Sequence, residues 1–140
     1  MTLSEVKQIL IQTRIAQQEY SLAVSKARQY DEMISAAKVS EFEPRAADDT
    51  GRNTQEEKLI IALSYHERVR ELEKAMTETR RKTDMLIDSL DMQSEKEIIT
   101  RRYLICQTWE QIAEGMGYSR MQIFRIHNKA LEKMLLNVTL

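Results

Sequence analysis

Residues 108–120 read TWEQIAEGMGYSR, which puts two of the chain's three glycines two positions apart, just ahead of a serine. Gly115 or Gly117 can take the left-handed backbone that ends a helix without a Cβ penalty. Thr108 stands three residues before Gln111, and Ser119 three before Gln122, the S/T-x-x-E/Q spacing of reciprocal helix caps. The stretch therefore predicts a short helix, a sharp turn and a restart. Ile112 and Ala113 face inward from the first helix, and the small alanine allows close crossing. In the second, Ile123, Ile126, Ala130 and Met134 recur at three- and four-residue steps and share one face. This is the pattern of a helix-turn-helix.

Placed on a helical wheel, Met121, Phe124, Arg125 and Asn128 lie opposite that core, with Arg120 at the flank. An arginine can bind guanine bidentately, an asparagine adenine, and an apolar tip the thymine methyl. From Ser119 to Leu136 the charges are Arg120, Arg125, Lys129 and Lys133 against Glu132 alone, a basic helix in a slightly acidic protein. The expected DNA-binding set is Ser119, Arg120, Met121, Gln122, Phe124, Arg125, Asn128, Lys129 and Lys133, with the two lysines on phosphate. Trp109 reads as a core anchor between the short helices.

Upstream, Ser94 with Glu97 can cap a further short helix, giving three at about 94–106, 108–115 and 119–136. Before these come two much longer patterns. Leu3, Val6, Leu10, Thr13, Gln17, Tyr20, Val24, Ala27, Asp31 and Ile34 alternate three- and four-residue steps. Ile61, Tyr65, Val69, Leu72, Met76, Thr79, Thr83, Leu86 and Leu90 do the same. Pro44 and Gly51 interrupt between them, so a loop is expected at about 41–53, with Thr54 and Glu57 capping the second helix. Two amphipathic helices with one connection predict a coiled-coil-like antiparallel hairpin over residues 1–90, followed by a helix-turn-helix domain over 91–140.

Composition agrees with an all-α chain. Of 140 residues 31% are charged, the net charge is −1, and three glycines, one proline and 6% aromatics argue against a β-sandwich or barrel. Nucleic-acid binding must then come from local clustering of cations. Cys106 is the only cysteine, so it forms no internal disulfide and reads as an inert, half-buried thiol in a reducing compartment. The opening MTLSEVKQIL has no basic region ahead of an apolar core, and the apolar runs fall far short of the roughly 20 residues that span a bilayer. A cytoplasmic protein with no membrane contact is expected. His66 and His127 lack partners at metal-ligand spacing, and there is no Gly-rich phosphate loop, nucleophile elbow or Cys-His cluster. The reading is of a non-enzyme without metal or cofactor.

The segment IITRRYLICQTWEQIAEGMGYSRMQIFRIHNKALEKM, from Ile98 through Trp109-Glu110 and Gly117-Tyr118-Ser119 to Ala130-Leu131, resembles region four of the bacterial sigma factors. That helix-turn-helix reads the upstream promoter element. More narrowly, the chain resembles small phage and prophage proteins that join an N-terminal helical segment to a sigma-like C-terminus in late-gene control. The resemblance implies RNA polymerase as a partner. It departs at Met121, where the sigma pattern has Glu, and at Phe124, where it has a further basic residue, so the promoter sequence does not carry over. No module resembling the start-site melting region is present.

The function expected is a sequence-specific, sigma-like transcription regulator of phage or prophage genes, binding double-stranded DNA, with the N-terminal helices forming a homodimer or docking on a partner. The alternatives are a DNA-packaging protein of the small terminase type and a coiled-coil adaptor that binds no DNA.

Overall fold

The structure, a computed structural model, describes residues 1–40 and 49–139, with side chains for 1–36 and 55–138. The described residues form helices and no strand: α1 (Leu3–Ser40), α2 (Asp49–Asp88), α3 (Gln93–Ile99), a π-helical segment (Thr100–Leu104), α4 (Trp109–Met116) and α5 (Arg120–Thr139). The chain is thus all-α, a long N-terminal helix pair leading into a helix-turn-helix. Helix α1 opens on a reciprocal cap that the sequence reading passed over: Glu5 N donates to Thr2 Oγ1, and Thr2 N to Glu5 Oε2. Helix α2 begins at Asp49, so Thr54 lies inside it and not at its start. A glycine such as Gly51 costs a helix about 1 kcal/mol, too little to stop one of 40 residues. The remainder of the expected loop, residues 41–48, lies outside the described residues.

Two compact units are present, and α1 and α2 each contribute to both. Residues 19–74 make one. There Ala23, Ala27 and Ala62 are buried, and Tyr30 stacks on Tyr65 with ring centroids 5.3 Å apart. Asp31, which interrupts the apolar stripe of α1, meets His66 at 2.9 Å. At the start of the α2 stripe Ala62 is buried while Ile61 is 37% exposed, a shift of one position from the expected seam. A methyl group lets two helix backbones come closer than a branched side chain does, so Ala62 suits the buried position.

The other unit comprises residues 1–18 and 75–140. Val6 and Leu10 of α1 pack with Leu86, Ile87 and Leu90 of α2, and with Ile99, Tyr103, Ala130, Leu131 and Met134. Early α1 residues meet late α2 residues, the antiparallel order. One layer of this interface is polar: Thr13 and Thr83, both fully buried, share a hydroxyl hydrogen bond of 2.6 Å. Each hydroxyl thereby avoids the cost of roughly 1–3 kcal/mol attached to an unpaired buried polar group.

Helix α3 departs from expectation at both ends. Its N-cap is Met92, with no side-chain cap, so Ser94 stands in the first turn and caps nothing. The α-helical pattern expected to about 106 ends at Ile99 and passes into the π-helical turn. That turn closes as Ile105 N donates to Thr100 O and Gln107 N to Arg101 O. Cys106, at φ 64°, occupies the left-handed position between them. Periodicity gives no warning of a single added residue, so the sequence pattern alone continues the helix.

Candidate nucleic-acid interface

Thr108 and Gln111 make both reciprocal capping bonds at the start of α4. Gly117 ends that helix at φ 70° and ψ 28°, and Tyr118 N closes the turn on Ala113 O at 3.1 Å. Gly115 stays helical. Ser119 and Gln122 repeat the reciprocal cap at the start of α5, at 3.0 and 3.2 Å. The glycine and cap spacing of residues 108–120 is therefore a stop, a left-handed turn and a capped restart. Ile98, Ile112 and Ile123 fill the small core beneath it, with Trp109, Ala113, Met116 and Ile126 packed around them.

Helix α5 is sharply two-faced. Ile123, His127, Ala130, Leu131 and Met134 are buried, whereas Arg120, Met121, Phe124, Arg125, Asn128 and Lys129 are exposed. The predicted residues divide accordingly. Arg125, Asn128 and Lys129 stand on the open face beside Met121, which is 71% exposed. Arg120 lies there too, in a loose 3.5 Å pair with Glu110. Ser119 and Gln122 are exposed, but their side chains hold the helix start. Lys133 has its charge engaged. Its Nζ donates to Glu95 at 2.8 Å and approaches Asp91 at 3.9 Å. Hydrogen bonding to Glu95 raises the Lys133 pKa and keeps it charged.

Behind the open face an aromatic cluster ties α5 to the preceding turn. Trp109 lies 4.9 Å from Phe124 and 5.0 Å from His127, the latter edge-on. The Arg102 guanidinium covers the indole at 4.4 Å. Its Nη1 donates to the carbonyl of Gln107. Burial, followed by the neighbouring Arg14, holds the Arg102 pKa below the ordinary value, though a guanidinium remains charged. Tyr103 and His127 meet at 2.7 Å. Burial raises the Tyr103 pKa and lowers that of His127, so the pair rests as a protonated hydroxyl and a neutral imidazole. Sequence reasoning found Trp109 but missed Arg102, Tyr103 and His127 as a set, because the π-helical turn aims them.

Among the described residues no group of His, Cys, Asp and Glu could hold a metal ion, and no helix is long and apolar enough to cross a membrane. Burial raises the Cys106 pKa, which disfavours the thiolate, and Sγ donates to Arg14 O at 3.7 Å.

Residues 86–134 match the family model for sigma-70, region 4, a DNA-binding helix-turn-helix family. The match takes in the last residues of α2, all of α3, the π-helical turn and α4, and most of α5. No curated protein and no solved structure matches the chain.

Proposed function

We propose that the chain is a sequence-specific, sigma-like transcription regulator that acts on phage or prophage late genes. One observation carries the reading. Within the matched segment, α5 buries one face and leaves Arg125, Asn128 and Lys129 on the other, free of described carboxylate partners. Those groups suit a major groove: a fork for guanine, an amide for adenine, an ammonium for phosphate. Met121 and Phe124 add apolar tips for thymine methyls. The phage or prophage setting rests on the resemblance of the whole chain, and RNA polymerase is the partner that the same resemblance supplies.

The homodimer belongs to the same proposal. Leu59, Ile60 and Leu63 of α2 are 50–65% exposed, apolar surface that a second copy would cover. Two copies would pair two recognition helices and read half-sites about one helical turn apart.

Selection of bound fragments from random duplex DNA tests the reading, followed by the salt dependence of the winner. A recurrent motif whose affinity falls as salt rises supports it. Enrichment of nothing, with no binding at low salt, rejects it. Mass from light scattering separates a dimer from the ring of eight or more copies that a packaging protein forms.

A further inference from the structure

Helix α1 brings two cations to the flank of the recognition helix. Arg14 donates from Nε to the carbonyl of Arg102 at 3.2 Å, and its own carbonyl accepts from Cys106. Arg102 covers Trp109, and Trp109 touches Phe124 on the open face of α5. Lys7 is exposed two turns before Arg14, beside Val6, which packs in one cluster with Ala130 and Leu131 of α5. Its charge is felt at His127, where it joins Arg102 in opposing protonation. Among the described residues none of Lys7, Arg14 and Arg102 has a carboxylate within ion-pair distance. Like charges gathered without a counter-ion repel one another, and a polyanion relieves that repulsion.

We propose that Lys7 and Arg14 of α1 bind duplex phosphates beside the groove entered by α5, so that the N-terminal helix is itself part of the DNA interface. The proposal rests on the DNA-binding reading above and goes beyond it, since both residues lie outside the segment that matches sigma-70 region 4. Position favours a duplex over an acidic protein, because the cations adjoin the face that would read bases.

The test is a salt titration of the full-length parent, Lys7→Gln, and Lys7→Gln with Arg14→Gln, on the duplex selected by the parent and on an unrelated duplex. Lys74→Gln, an exposed site in the other unit, controls for net charge. The slope of log affinity against log salt should flatten by about 0.9 for each phosphate contact removed. It should do so equally on both duplexes, and not at all in the control. Lys7 is exposed, so its variant stays informative even if loss of Arg14 disturbs the fold. A parental slope in a folded Lys7→Gln variant overturns the proposal and turns the patch towards an acidic protein partner, while DNA binding by α5 stands. A parent that binds no duplex at low salt overturns both.

Discussion

Lys133 sets its ammonium 2.8 Å from Oε1 of Glu95, whose carboxylate is 2% exposed and whose Oε2 has no hydrogen-bond partner among the described residues. The pair joins α5 to α3 inside the helix-turn-helix. Removing the cation strands a buried charge, whereas replacing both partners by apolar groups strands nothing. Lys133→Ala should lower the melting temperature by several degrees, and Lys133→Met with Glu95→Leu should recover most of the loss. Calorimetry of the three proteins checks this. Equal melting of Lys133→Ala and the parent would show that the pair contributes little.

The two glycines of the turn should respond differently. At Gly117 a Cβ meets nothing within 4 Å, so alanine is opposed only by the backbone, at about 1–2 kcal/mol. At Gly115 a Cβ would come 2.6 Å from Nη1 of Arg101, the far end of a flexible side chain that can move aside. Helix propensity there favours alanine by roughly 0.5–1 kcal/mol. Gly117→Ala should be clearly destabilised in urea unfolding, and Gly115→Ala close to neutral.

On the open face of α5, two substitutions should separate base reading from phosphate contact. Arg125→Ala should cost on the order of 1–3 kcal/mol on the selected duplex and relax the preference at one position. Lys129→Ala should weaken all duplexes alike and reduce the salt slope by about one unit. Anisotropy titrations at fixed salt measure both. Parental binding by Arg125→Ala would move the reading face elsewhere.

Burial of His127 makes stability depend on pH. Its folded pKa is lowered, so the unfolded chain binds the extra proton first. Its stabilising contribution is complete above the unfolded value of about 6.5 and is lost as pH falls from there through the folded pKa. The melting temperature should therefore fall on acidification below about pH 6.5. His127→Gln, whose amide can still hydrogen-bond to Tyr103, should reduce that dependence. An unchanged pH profile in the variant would place the titration elsewhere.

What could be read in advance followed from repetition and from stereochemistry. Thr108, Gly117 and Ser119 each answer a local demand, a cap or a left-handed turn, and local demands are written in neighbouring residues. The open face of α5 follows from the burial of Ile123, Ala130 and Met134, which periodicity gives directly. Lys133 shows where that logic stops. Its partner Glu95 lies 38 residues away, so nothing beside Lys133 marks it as engaged. Arg14 and Arg102 meet across 88 residues, with the same result. Ser94 resembled a cap only because Glu97 stands three residues on, a spacing that recurs by chance in a chain so rich in glutamate.

The π-helical turn at Thr100–Leu104 acts as an angular adjustment. Successive residues of an α-helix advance by about 100°, so one additional residue in the turn swings everything after it around the axis. Shortening this segment by one residue would therefore turn Tyr103 out of the angular register with Ile99 that lets both enter one core.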